Sequence, residues 1–461
     1  MFRGTIDPLG LFHLAAVAKQ EGWGVDIRLV EHSQPFCLNE HYDMVGFSVY
    51  TGLHQQAFKV LYDLRVHHPD TLIVVGGPHA TCFPESCDAF ADYVVVGQGA
   101  ESLKDLLCGS RPSEKHLTRC DDGPLPVGER QEFYAAYPEF ERSPIKSLIG
   151  SLGCKFSCSY CYNSFRRPWR HSTRPVDLVL RDAEEVLRCS PCTRLFYFQD
   201  DVFGADLTWL KEFSLKFPAL GVPFHAQARV EMIDPATNAG NRRLDLLCQA
   251  GCTGLTVAIE SSSETVRTEV LNRRMDNGIF LRVLTRLGRL GLALRTEQML
   301  GLPAGATEAP TPVNLELDLD LLEFNVRLRE ETGLPTVAWA SVFTPYYKTR
   351  IWEYCRQHGH YTGTNDDLPA TFFEESRLRF PSRHVGPSLA AESDAWLDDG
   401  ELSGYRQSML ELQRMFHLFA AVPKGHLLAR KYLERRVPDI PAIAGIMKQH
   451  LYDELLYEDK R

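Results

Sequence analysis

Ser151-Leu-Gly-Cys154-Lys-Phe-Ser-Cys158-Ser-Tyr-Cys161-Tyr162 places three cysteines at i, i+4 and i+7. One short loop can bring all three thiolates to a single inorganic cluster. Thiolate is a soft donor suited to iron–sulfur clusters, which usually take four ligands; three protein ligands leave one iron open for chemistry. A structural zinc site needs a fourth Cys or His. The nearest candidate, His171, stands ten residues on, and no paired CxxC or HxxxH lies at finger spacing. A disulfide would leave one of the three cysteines over, so the cluster is the reading that uses all of them.

The spacing is CxxxCxxC, and Tyr160 precedes the third cysteine. In both respects the loop resembles the signature of the radical S-adenosylmethionine (SAM) enzymes. The resemblance implies a [4Fe–4S] cluster on Cys154, Cys158 and Cys161. Its unique iron would chelate the amino and carboxylate groups of SAM, and reduction would yield a 5′-deoxyadenosyl radical. An electron donor such as flavodoxin or ferredoxin is implied too.

Working outward, strand patterns at 145–150, 195–198, 223–229, 254–259, 292–300 and 336–343 alternate with helical stretches. These six βα units fit the partial (β/α)6 TIM-like barrel of that family, with chemistry at the strand C-terminal ends. Several residues then fall at the mouth. Gln199-Asp200-Asp201 ends the second strand, where the aspartates either accept from the SAM ammonium or cap the next helix. Arg229 and Glu231 end the third strand and are candidates for the SAM carboxylate or ribose. Glu260-Ser261 lies in a phrase close to the family's "GIES". Arg295 and Glu297 on the fifth strand either clasp SAM or pair with each other. Gly301-Leu-Pro303 resembles the family's "GLPGE" turn, which lines the adenine.

Residues 1–107 show a different alternation. A helix is expected over 8–22, strands at 25–30, 44–49, 71–75 and 93–96, and a helix over 54–67. This reads as a doubly wound, Rossmann-like parallel sheet. The phrases "PLGLFHLAA", "VVGGPHAT" and "DYVVVGQGAESL" resemble the cobalamin-binding domain fused to many radical SAM enzymes. Gly76, Gly77, Gly97 and Gly99 are then the places where backbone approaches the corrin. His79 is either a cofactor contact or an ordinary loop histidine, since no DxHxxG is present. A first strand has only Met1–Asp7 to form it, and "GEGE" appears as Gly97-Gln98-Gly99-Ala100. A scaffold that has lost its cobalamin is the alternative.

Residues 108–144 have the turn-rich composition of a linker. The barrel is assigned to 145–361 and a helical C-terminal domain to 362–461, with helices at 402–421, 424–435 and 443–457. Tyr346 and Tyr347 either shape the pocket or simply pack. Cys189-Ser-Pro-Cys192 and the Cys248/Cys252 pair read as ordinary thiols, and Arg166 to His171 as a solvated basic loop.

With 461 residues, 44% hydrophobic and 24% charged, the chain has room for two or three domains. A net charge of −10 speaks against nucleic-acid or membrane-surface partners. No apolar run long enough for a membrane span and no signal peptide are seen. Thirteen cysteines form no secreted disulfide framework, so a cytoplasmic location is expected. If cobalamin binds, the resemblance implies methylation of an unactivated carbon of a small, natural-product-like molecule, with methylcobalamin as methyl donor. The alternatives are a cobalamin-independent dehydratase or epimerase, as in sugar-diol dehydration of aminoglycoside tailoring, and a non-catalytic cluster or SAM sensor.

Overall fold

The computed structural model describes residues 6–30, 41–118, 123–165, 171–303, 315–371, 375–381 and 396–434. These fall into two compact units. One is built around the N-terminal sheet together with the first barrel strands; the other holds the later barrel strands, the cysteine loop and the C-terminal helices.

The chain starts with α1 (Leu9–Gln20), then β1 (Met44–Ser48), α2 (His54–His67), β2 (Leu72–Gly76), α3 (Gly77–Cys82), β3 (Tyr93–Val96), α4 (Ala100–Leu107) and β4 (His116–Thr118). The strands form one parallel sheet in sequence order, with Val45 opposite Ile73 and Val75 opposite Val94. The apolar runs are buried because helices cover them: Phe58, Leu61 and Leu64 of α2 pack on Ile73, Val75 and Val94. Residues 25–30, expected as a strand, join no sheet among the described residues. Their alternation is satisfied differently. Ile27 packs beside Phe12 and Phe133, and the Leu29 N–H donates to the Tyr137 hydroxyl at 3.0 Å. Only residues 6 and 7 of the proposed first strand lie within the described residues, and they are not a strand.

The stretch read as a linker contains β4 and two short helices, α5 (Gln131–Ala136) and α6 (Pro138–Glu141). Barrel strand β5 (Ile145–Leu148) follows. A small antiparallel pair, β6 (Ser151–Leu152) with β7 (Ser172–Thr173), brackets α7 (Tyr162–Phe165) in sequence. Then come α8 (Val176–Cys189), β8 (Leu195–Phe198), α9 (Leu207–Lys216), β9 (Phe224–Gln227), α10 (Asn238–Gln249), β10 (Cys252–Glu260), α11 (Asn277–Arg289), β11 (Ala293–Leu300), α12 (Glu316–Thr332) and β12 (Val337–Val342). The six strands are parallel and run β5-β8-β9-β10-β11-β12, the expected half-barrel. Along β11 and β12, buried residues alternate with half-buried ones such as Arg295, Glu297, Met299, Trp339 and Ser341. One face packs on helices while the other stays polar and accessible.

The C-terminal part holds α13 (Arg350–Gln357), α14 (Asp399–Ala421) and α15 (Gly425–Leu433). Asp398 and Glu401 form a capping box that starts α14. Its Met409, Leu412, Met415, Phe416 and Phe419 stripe is buried core, and Gln413 donates to the Ala340 carbonyl of β12 at 2.8 Å. The expected helix at 443–457 lies outside the described residues.

Candidate functional site

The cysteine loop leaves β5 at a polar anchor. Asp200, 1% exposed at the end of β8, accepts from the Gly150 N–H at 2.9 Å and the Ser151 hydroxyl at 2.5 Å. The helix-capping alternative for Asp200 and Asp201 does not hold: Asp206 caps α9, accepting from Thr208 N and Trp209 N. Gln199 is half-buried, with its amide nitrogen 3.4 Å from the Ser147 hydroxyl.

The loop itself is gripped by residues that no sequence motif singled out. A π-turn at Val266–Val270 delivers Leu271, Asn272 and Arg273 to it. The Leu271 carbonyl accepts from Ser159 N at 3.0 Å, and the Val270 carbonyl from the Ser159 hydroxyl. Asn272, in the left-handed region at φ 52°, donates its side-chain amide to the Ser157 carbonyl at 2.8 Å. At the start of α13, Ile351 N donates to the Ser159 carbonyl at 3.1 Å. Ser157, just before the second cysteine, and Ser159, just after it, are thereby tied down.

Two charged groups complete the surroundings. Tyr160 donates to Glu260 Oε1 at 2.6 Å, and Arg273 reaches the same oxygen at 3.0 Å and the Ala258 carbonyl at 2.9 Å. Burial disfavours the Arg273 charge, but Tyr160 and Glu260 beside it hold its pKa above the ordinary arginine value. Glu260 has φ 67°, so the strand ends there in a conformation that L-residues rarely adopt. Ser261 is spent on the following turn: its hydroxyl accepts from Ser263 N at 3.2 Å and its carbonyl from Arg267.

In the second group, Arg229 pairs with Glu231 and donates through Nη1 to Cys158 Sγ at 2.9 Å. Its guanidinium lies over the Phe156 ring, 3.9 Å from the centroid. Arg295 pairs with Glu297 at 2.7 Å and sits 4.9 Å from the Trp339 ring centre, so the mutual-pairing alternative is realised in this structure. Gly301 has φ 75°, a conformation that L-residues rarely adopt, and a Cβ there would press within 2.7 Å of the Met409 sulfur. Its N–H donates to buried Asp318 at 3.0 Å, while Pro303 is the last described residue of that turn. Tyr346 packs on Tyr162, with ring centres 4.8 Å apart.

The donor set fits a cluster. Burial raises the Cys154 thiol pKa and pushes that of Cys161 up to about 12; a metal bound there would have to displace their protons. Among the described residues no three His, Cys, Asp or Glu side chains converge as a single ion requires. A [4Fe–4S] cluster would take one cysteine on each of three irons, and three thiols on one loop are the donor set it would call for.

In the N-terminal sheet, Gly77 has φ 92° and a Cβ there would strike the Ser48 hydroxyl at 2.7 Å and Val49 N at 2.9 Å. That glycine is already required by packing against the end of β1. Gly76 and Gly99 meet only ordinary contacts, and Gly97, at φ 101°, donates its N–H to Thr81 Oγ1 at 3.0 Å. His79 lies in α3, not in a loop, and is 1% exposed. Its ring stacks on His54 at 4.4 Å, and both nitrogens bond hydroxyls, Thr51 and Ser86, each at 2.9 Å. That arrangement is a core histidine.

Residues 2–107 match the B12 binding domain, and residues 148–305 match the radical SAM superfamily. The chain is a radical SAM enzyme with a B12-binding domain. It is 23% identical over 400 residues to the uncharacterized methyltransferase PH0819 of Pyrococcus horikoshii, covering 76% of this chain and 78% of that protein. It is 20% identical to the cytidylyl-2-hydroxyethylphosphonate methyltransferase of Streptomyces wedmorensis, covering 83% and 84%. The fold is shared with two solved radical SAM enzymes. The methyltransferase TsrM from Kitasatospora setae, determined with cobalamin and a [4Fe–4S] cluster, superposes with a TM-score of 0.60 at 14% identity, covering 94% of this chain and 97% of that one. The cobalamin-dependent OxsB does so at 0.64 and 16%, covering 100% and 72%. In this radical SAM enzyme no helix among the described residues is long and apolar enough to cross a membrane.

Proposed function

We propose that this radical SAM enzyme is a cobalamin-dependent methyltransferase acting on a carbon of a small molecule. The observation that carries the reading is the pairing in one chain of a glycine-edged B12-type sheet with a half-barrel whose mouth holds the three-cysteine loop. Both curated relatives and the solved TsrM are named methyltransferases, which favours methyl transfer over dehydration or epimerisation.

When bound, the [4Fe–4S] cluster supplies the electron that cleaves SAM, and cobalamin supplies a methyl carrier. The chain's own residues have defined tasks. Cys154, Cys158 and Cys161 ligate the cluster on a loop whose polar groups are fixed by Asp200 and by residues 270–273. Half-buried Arg295, Glu297, Trp339 and Ser341 line the accessible strand face with groups able to orient a polar or aromatic substrate. A TsrM structure with tryptophan bound makes a molecule of that size a sensible first test set.

The test is anaerobic purification with hydroxocobalamin, followed by iron, sulfide and cobalt analysis. The proposal expects about four irons and about one cobalt per chain, and label from methyl-labelled SAM appearing in a carbon-methylated product. Full iron with no cobalt uptake would remove the cobalamin step, and zinc in place of iron would remove both.

A further inference from the structure

Arg229 was a candidate for holding SAM, but its side chain is directed at the cysteine loop. Nη1 donates to Cys158 Sγ at 2.9 Å, the guanidinium plane covers Phe156 at 3.9 Å, and Glu231 braces the other edge. The side chain is 12% exposed and Cys158 is 8% exposed, so water screens the contact little. A fixed positive charge bonded to a ligand sulfur stabilises the more negative, reduced state of an iron–sulfur centre. Glu231 opposes it, because its carboxylate lies within the same group and subtracts from the field at the sulfur.

We infer that the Arg229–Glu231 pair is a positioning device that sets the reduction potential of the cluster through the Cys158 sulfur. Arg229 raises the potential, Glu231 moderates it, and the stack on Phe156 holds the loop so that the hydrogen bond persists. Among the described residues, Cys158 is the one of the three ligand sulfurs bonded to a cation, so the influence falls on one corner of the cluster. The inference rests on the reading that these cysteines hold a [4Fe–4S] cluster.

The experiment is a dithionite potentiometric titration of the reconstituted full-length chain, followed by EPR without SAM or substrate. Iron and sulfide are measured on the same samples, so failure to bind a cluster is told apart from failure to tune one. R229Q is expected to disfavour reduction about tenfold, a fall of about 59 mV for one electron. R229K, which keeps the charge, should stay near the wild-type midpoint. E231Q, which leaves Arg229 charged and unopposed, should move the midpoint upward. An unchanged midpoint in fully loaded R229Q overturns the inference. Should R229Q take up no iron, E231Q decides: a midpoint equal to wild type overturns it, and a rise supports it.

Discussion

Tyr160, Glu260 and Arg273 form the most tightly coupled set of side chains beside the cysteine loop. Glu260 is 6% exposed and Arg273 2% exposed, so each needs the other to remain ionised inside the protein. R273M strands the Glu260 carboxylate and should cost about 3–5 kcal/mol. Y160F deletes one donor and should cost about 1–3 kcal/mol. Because both act on the same Glu260 oxygen, the double variant should cost less than the sum. Urea unfolding of the four proteins measures this, and strictly additive losses would refute the coupling. Asp200 makes a separate prediction. D200A frees two donors at the entry to the loop and should lower iron retained per chain several-fold, whereas D200N, with one amide oxygen left to accept, should fall between.

These residues also show what the sequence discloses. Cys154, Cys158 and Cys161 stand out in the sequence because residues meant to ligate together from one loop must be written at a fixed spacing. Glu260 is legible because it ends a strand in a recognisable phrase. Arg273 and Asn272 are not: they act after a π-turn whose geometry has no periodic signature, on partners more than a hundred residues away in sequence. Arg229 is visible as a strand-end arginine, but its contact with Cys158 is not, since such an arginine looks the same in sequence whether it faces a substrate or a sulfur.

At the scale of elements, α12 and the turn after β11 are joined by a group that titrates near neutrality. Asp318 in the first turn of α12 is buried, which pushes its carboxyl up to about 7, while the hydrogen bond from Gly301 N pulls the other way. A folded-state pKa above the unfolded value means the native state holds the proton longer. The stability this contributes is complete below about pH 3.8 and is lost as pH rises to about 7. D318N fixes the neutral form. Its thermal midpoint should exceed wild type above pH 7, and the gap should close as the pH is lowered toward 5. A constant gap would show that Asp318 does not titrate in this range. The elements themselves were largely legible, because helices and buried strands carry different apolar periods. Residues 25–30 have a strand's alternation but, among the described residues, meet helices instead of a neighbouring strand, and β4, α5 and α6 lie in a stretch whose turn-rich composition read as a linker.

At the scale of the whole molecule, the segment between sheet and barrel is more than a tether. Asp182 of α8 is fully buried and receives Arg130 at 2.6 Å, Arg174 at 2.9 Å and Gly128 N at 3.1 Å. Arg174 also donates to the carbonyls of Leu125 and Pro126, at 3.2 and 3.0 Å. Asp7 accepts from Ser147 N of β5 at 3.0 Å and from the Tyr134 hydroxyl at 3.1 Å. The turn-rich composition of residues 108–144 concealed this, because buried arginine–carboxylate contacts leave no local pattern. A chain cut to begin at residue 145 keeps every barrel strand and Cys154, Cys158 and Cys161. It loses Arg130, the Gly128 N–H, the two carbonyls and Asp7. Each buried polar group so orphaned costs about 1–3 kcal/mol, against a total stability of about 5–15 kcal/mol for a domain. The fragment 145–461 should therefore be insoluble or be cleaved rapidly by protease, while D182N in the intact chain should fold with a lowered thermal midpoint. A soluble, monomeric 145–461 that binds iron as well as the full chain would show that the barrel stands without these contacts.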